Sequence, residues 1–380
     1  FFKNTSDGFS YTVNLSGMYP EAISCSDPEN WGLVDGTLLK GALIKRCHGA
    51  RMGTHEDATD LTFEDCTAYT RGFMVGSGYG TLTMVNPVFY MREAQNMLEF
   101  RYDYSNCWDG DIIIDNPTVH LSPDIPQFTA MVKFQVATAN CVYLSTSVVA
   151  HTCNSLTVRN ATIVSRTNQT HAYHMWNVSS GFSQPVAMPL RVTLDSITTR
   201  APTNTFVKVS VSGEYLSSNS NMLSRATEVV VNNYTVNDPG NNYLITSRIS
   251  EADKPGIRNR YTWRFTNVIG VAINTSLPGG NNIHLTNCTV FRLDNSSIAG
   301  LTDLTGIKAS NCVFTDTIQC RTNGGSIELY NCDFAVVGAV GLGGIKKSIG
   351  TTIAAGSTIT GQTSLSAALL MSYKDSTKYA

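Results

Sequence analysis

Residues 283–287 read IHLTN, residues 307–311 IKASN and residues 327–331 IELYN. Each is an apolar residue, any residue, an apolar residue, any residue, then Asn. Outward from these, the same frame is LTFED ending at Asp65, LTMVN at Asn86, IIIDN at Asn116, LTVRN at Asn160, VTLDS at Ser196, VVVNN at Asn233 and WRFTN at Asn267. Of the ten copies only the one at Ser196 ends in neither Asn nor Asp. Two-residue alternation is the period of a strand with one buried face. Asn tolerates left-handed backbone angles and bonds to its own turn, so the strand bends at the same place in every copy. Successive frames begin at Leu61, Leu82, Ile112, Leu156, Val192, Val229, Trp263, Ile283, Ile307 and Ile327, and the shortest steps are about twenty residues. Repeats of that length mark a solenoid, each unit covering its neighbour.

The expected fold is therefore all-β, a right-handed parallel β-helix in one elongated domain. Residues 32–334 form its body and residues 1–31 its N-terminal lead-in or cap. Residues 335–380, where Gly-rich and Thr-rich sequence replaces the frame, form a C-terminal cap or a subunit-contact segment. Stacked copies bring the Asn side chains into register, each amide bonding to the next and satisfying groups otherwise buried unpaired.

A hydrophobic fraction of 42% in 380 residues supports a large core, while only 15% of residues are charged, leaving Asn, Ser, Thr and Gly to make the surface. A net charge of -2 argues against general nucleic-acid binding, which needs a basic footprint. No apolar run is long enough to span a membrane. The chain begins Phe-Phe-Lys, with no Met and no signal-peptide pattern, and reads as a processed or excised piece. Cys66, Cys288, Cys312 and Cys332 each follow the ladder residue directly. Equivalent positions in neighbouring coils lie ~4.8 Å apart, whereas a disulfide needs Cβ atoms about 3.8 Å apart with converging geometry. These cysteines read as a column of free, buried thiols, which fits assembly in a reducing cytoplasm. No pair has zinc-site spacing, and no cofactor or metal is expected.

A second strand type precedes the frames, clearest in MLEFRYDYSNC from Met97 and MVKFQVATANC from Met131. Alternation turns Leu98, Phe100 and Tyr102 inward and Glu99, Arg101 and Asp103 outward. Two coils earlier, RMGTHED turns Met52 and Thr54 inward and Arg51, Gly53 and His55 outward, with Gly76 of the intervening coil as a floor between the charged sets. Two coils separate groups by about 9.6 Å, near the roughly 6.5–9.5 Å between the carboxyls of an inverting glycosidase. Glu99 or Asp103 paired with Glu56 or Asp57 would supply acid and base. His55 beside Arg101 is the alternative for a lyase, Arg neutralising a uronate while a base removes the proton. Trp108, Tyr79 in GSGYG, and the pair His174 and Trp176 lie on or beside the outward strands and loops and are candidates for contact with sugar, the His174 and Trp176 pair as a groove wall, since aromatic faces stack on sugar rings. Loop excursions between Glu93 and Asn267 are where a rigid solenoid carries function.

The Asn-turn ladder, the one-sided loops and the segment RCHGARMGTHEDATDLTFEDC from Arg46 to Cys66 resemble the pectate-lyase-like β-helix proteins of bacteriophage tails, the tailspikes. The resemblance implies a homotrimer of side-by-side β-helices, carried in the virion with other phage tail proteins and assembled in the host cytoplasm. It implies recognition of a bacterial surface polysaccharide, capsule or O-antigen, and its cleavage by an endo-acting depolymerase, with glycoside hydrolysis favoured over β-elimination. Under this reading Glu99, Glu56, Asp57 and Asp103 are the catalytic candidates, and Arg51, His55, Arg101, Trp108, His174 and Trp176 bind substrate. A non-catalytic receptor-binding tail protein is the alternative, and a secreted bacterial polysaccharide lyase a third. Neither nucleic acid nor membrane insertion is expected.

Overall fold

The computed structural model describes residues 14–16, 39–54, 58–91, 96–101, 107–123, 125, 129–136, 150–180, 185–205, 207–216, 221–223, 227–236, 245–247, 261–274, 282–295, 305–315, 318–320, 325–334, 339–342, 345–353, 358–360 and 373–375. Among these the regular structure is all strand, every described pairing is parallel, and there is no helix. The chain divides into two compact units, Phe1–Arg225 and Ala226–Ala380.

In the first unit the frame strands Leu43–Lys45, Thr62–Glu64, Gly78–Val85, Trp108–Asp115, Ser155–Arg159 and Arg191–Arg200 pair in that order. Their register stacks Ile44, Phe63, Met84, Ile114, Val158 and Leu194 in one fully buried column. Burying a side chain of this size contributes about 1.5–3 kcal/mol. After the turn, a second stack runs through Thr67–Val75, Val88–Tyr90, Thr118–His120 and Thr162–Val164. A third joins residues 72–75, Leu98–Phe100, Ala130–Val136, Tyr173–Ser180 and Val209–Leu216. Between the third stack and the next coil, Ala150–His151, Pro185–Ala187 and Asn221–Leu223 form a separate parallel sheet.

The second unit repeats the arrangement. Thr227–Thr235, Tyr261–Asn274, Asn282–Thr286, Thr305–Ser310 and Gly325–Tyr330 carry the frames, and Ile345–Ile349 continues their stack. Parallel pairing continues past Phe334 through Thr351–Ile353 to Tyr373–Asp375. Phe314 stacks on Phe334, ring centroids 4.8 Å apart, because the register places them one above the other.

All ten frame-ending residues adopt left-handed φ, between 50 and 57°, Ser196 included. Two positions without Asn join them, Arg46 (φ 53°) and Gly350 (φ 64°), so the turn extends beyond the frames that residue identity reveals. The side-chain ladder is present in both units: Asn116 Nδ2 donates to Asn86 Oδ1 at 2.9 Å, and Asn287 Nδ2 to Asn267 Oδ1 at 3.3 Å. It differs from expectation in two ways. The ladder residues are exposed, so their bonds align neighbouring turns at the surface and do not rescue buried amides. At Asn160 the amide goes to Asp115 Oδ1, bypassing Asn116.

None of the seven described cysteines with placed side chains is in a disulfide, and all are buried. Cys66 Sγ points back at the Ile44 carbonyl, 3.4 Å away, and burial pushes its pKa up to about 11. Cys288 and Cys332 make the same contact with the Phe265 and Ala309 carbonyls.

Candidate functional site

Glu99 is the one member of the four-carboxylate set that falls among the described residues. Glu56, Asp57 and Asp103 lie outside them, as does His55. Leu98 and Phe100 point into the core, so alternation places Glu99 on the opposite face, as expected. That face is covered: Glu99 is 8% exposed, and Arg51 is buried as well. Asn96 Nδ2 donates to Glu99 Oε2 at 2.6 Å, and Gln135 Nε2 donates to Glu99 Oε1. Asn96 is itself fixed by the Ala130 backbone N–H, 2.8 Å from its Oδ1. The carboxylate is thus clamped between amides from its own coil and the next.

The register also moves the expected floor. Gly53 is opposite Met74, Met74 opposite Glu99, and Glu99 opposite Lys133. Met74 therefore occupies the place between Gly53 and Glu99 that the sequence reading gave to Gly76. Gly76 lies two positions further along, where its N–H bonds to the Thr54 carbonyl. A register shift between Gly49 and Arg51 precedes this stretch. Gly53 has a packing role, since a Cβ there would lie 1.6 Å from the Met74 carbonyl oxygen.

Trp108, His174 and Trp176 are corrected from sugar contacts to buried positions. Trp108 is fully buried, donates its Nε1–H to the Gly80 carbonyl at 3.0 Å and fills the space over Gly78, where a Cβ would come within 2.1 Å of its ring. Trp176 is also fully buried, in register with Val132 and hence with Leu98, and His174 is buried two residues before it. Both faces of the strand segment from Tyr173 to Val178 are covered, which removes the pair from any open wall.

Tyr79, placed by its sequence beside the outward strands, does lie on the outer face of the frame strands; the carboxylates around it on that face are what the sequence reading passed over. Trp108, Gly110, Ile112 and Ile114 point inward, so Asp109 and Asp111 point out, and both are exposed. Asp109 is opposite Tyr79, which is 45% exposed, and Asp111 is opposite Thr81. Ser155 Oγ donates to Asp111 Oδ1 at 2.6 Å, and on the other side of Tyr79 the Thr81 N–H is held by Asp60 Oδ1 at 3.0 Å. An uncovered aromatic ring thus sits among hydrogen-bond acceptors. On the second stack Tyr69, Tyr90 and His120 form a stacked column, centroids 5.5 and 4.3 Å apart. Tyr90 is thus covered on both faces by its neighbours. Burial, with Arg166 nearby, holds the His120 pKa below the ordinary histidine value.

Among the described residues no group of three His, Cys, Asp or Glu side chains is placed to hold a metal ion, and no helix is long and apolar enough to cross a membrane. Compared with known proteins, the chain matches no family model, no curated protein and no solved structure.

Proposed function

We propose that the chain is the right-handed parallel β-helix of a tailspike-type protein that binds a bacterial surface polysaccharide, acting as a homotrimer at the phage tail. The all-parallel stacks and the turn recurring at each frame support the scaffold, and parallel crossovers in one sheet are overwhelmingly right-handed. The observation that carries the glycan reading is the exposed Tyr79 ring flanked by Asp60, Asp109 and Asp111. A ring face takes the apolar side of a sugar while neighbouring carboxylates accept its hydroxyl protons.

Depolymerisation is the second reading, and Glu99 is the residue that favours it. Its carboxylate is held in one orientation by two amides, the kind of preorganisation a reacting group needs, with Lys133 in register beside it. Substrate reaches it only if the cover over that face opens.

One experiment tests both readings. The protein is incubated with capsule and O-antigen preparations from candidate hosts, and binding and oligosaccharide release are measured in parallel. Binding that Tyr79→Ala and Asp109→Asn weaken at least several-fold supports recognition at this face. Release of discrete oligosaccharides adds catalysis, with ultraviolet absorbance of the product marking a lyase. Binding by no preparation removes the tailspike reading, and a single-chain mass in solution removes the trimer.

A further inference from the structure

The frame strands of the second unit place Arg264, His284 and Lys308 directly opposite one another on three successive parallel strands. Neighbouring strands lie ~4.8 Å apart. Trp263 and Phe265, Ile283 and Leu285, and Ile307 and Ala309 point inward and are buried, so the three cation-forming side chains share the outer face. The Arg264 and Lys308 side chains are about half exposed, at 47% and 51%. Each has a carboxylate to one side. Arg264 Nε bonds to Glu228 Oε1 at 2.7 Å, and Lys308 Nζ lies 3.8 Å from Glu328 Oε2 and over the Tyr330 ring. No carboxylate stands opposite His284 itself, whose register partners are both cations.

We propose that Arg264, His284 and Lys308 bind a carboxylate of an acidic polysaccharide, seated over His284. The inference rests on the glycan-binding reading and adds a second contact, with the chemical class of the ligand.

Charge selects a monoanion. Two fixed cations, Arg264 and Lys308, stand against two carboxylates, Glu228 and Glu328, so the neutral-imidazole site sums to zero. One bound carboxylate together with one proton taken up by His284 restores that balance, whereas a dianion exceeds it. The local donors suit the task. Arg264 uses only Nε of its five N–H donors on Glu228, and exposed pairs as long as Lys308–Glu328 are weak enough to exchange partners.

The unliganded imidazole is held below the ordinary histidine value, first by burial and then by Arg264 and Lys308. The remaining neighbours on the packed strands, Thr262, Thr266, Asn282, Thr286, Gly306 and Ser310, carry no charge. A carboxylate over the ring reverses that effect and raises the midpoint. Since the bound value exceeds the free one, the affinity gain is complete below the free value and is lost as pH rises through the bound value. Each pH unit of separation is worth about a tenfold change in affinity.

The test is titration calorimetry on the full chain with oligogalacturonate, a neutral dextran of equal length and inorganic phosphate as probes. Runs in two buffers of different ionisation enthalpy count protons. Expected are oligogalacturonate binding with uptake of up to one proton at pH near 6, affinity falling toward pH 8, and no dextran binding. His284→Gln abolishes the uptake, and Lys308→Gln weakens binding several-fold. Wild-type binding without proton uptake, equal binding of dextran, or tighter binding of phosphate overturns the proposal, whether or not the variants fold. Host polysaccharide bound by His284→Gln with the wild-type pH profile also removes this site but leaves the tailspike reading standing. Failure to bind any host polysaccharide, with oligogalacturonate uptake intact, does the reverse.

Discussion

Replacing Asn116 by Ala and by Gly separates the two jobs the ladder residue performs. Asn116 sits at φ 54°, exposed, with its Nδ2 donating to Asn86 Oδ1 at 2.9 Å and its backbone N–H bonded to the Arg159 carbonyl. Either substitution deletes the side-chain bond, which at an exposed site contributes about 0.5 kcal/mol. Ala adds the left-handed penalty of ~1–2 kcal/mol, part of which Asn already bears, so its total is about 1.5–2 kcal/mol. Gly adopts φ 54° without that penalty and loses instead about 0.5–1 kcal/mol of chain entropy, part of it offset by that freedom. Asn116→Gly should therefore be the milder change by about 1 kcal/mol.

Thr83 provides the internal control. It lies opposite Ile113 in a frame strand with its side chain half-buried on the outer face and with ordinary negative φ. There Gly should be worse than Ala by about 0.5–1 kcal/mol, the reverse order. Urea unfolding of the full chain followed by circular dichroism, compared at matched slope, reads both pairs. Asn116→Gly as destabilising as Asn116→Ala would refute the left-handed turn as the reason this position holds Asn.

Three further outcomes are expected. Trp108→Ala should cost about 3–5 kcal/mol as a core truncation, and Gly78→Ala should destabilise too by driving a Cβ into the Trp108 ring; a folded Trp108→Phe that melts like wild type yet binds no glycan would argue for a surface role instead. Glu99→Gln turns an amide NH2 toward the Asn96 or Gln135 donor and should cost about 1–3 kcal/mol, so a variant of wild-type stability means the clamp does not exist, while oligosaccharide release from the same variant shows whether Glu99 reacts. Cys66 and Cys312 should resist an aromatic disulfide reagent at pH 8 until the chain unfolds, because their thiols, pushed up to about 11 chiefly by burial at Cys66 and by the hydrogen bond with Cys288 at Cys312, stay in the protonated, unreactive form; fast reaction of either in the native chain would contradict the column's burial.

The frame was legible because two constraints coincide in it: inward positions must be apolar, and the turn must accept left-handed φ. Where only the second acts, residue identity hides it, as at Arg46 and Gly350, whose backbone angles match their neighbours without Asn. Trp108 was within reach of the same reasoning, since counting back by twos from Ile112 passes through Gly110 to Trp108 on the buried face. Arg51 and Glu99 were not, because alternation says which way a side chain turns and nothing of what covers it afterwards. The register shift before Arg51, which helps set Met74 opposite Gly53, likewise leaves no periodic trace. The outward positions of the frame are free of both constraints, and that freedom makes them informative. Aligning WRFTN, IHLTN and IKASN puts Arg264, His284 and Lys308 in the second place of three consecutive copies, and pairing turns that alignment into one column of charge. Neither the core nor the turn requires cations there. With the imidazole neutral each of the two fixed charges already meets a carboxylate, so a bound carboxylate is what would bring the third member, His284, into its charged form.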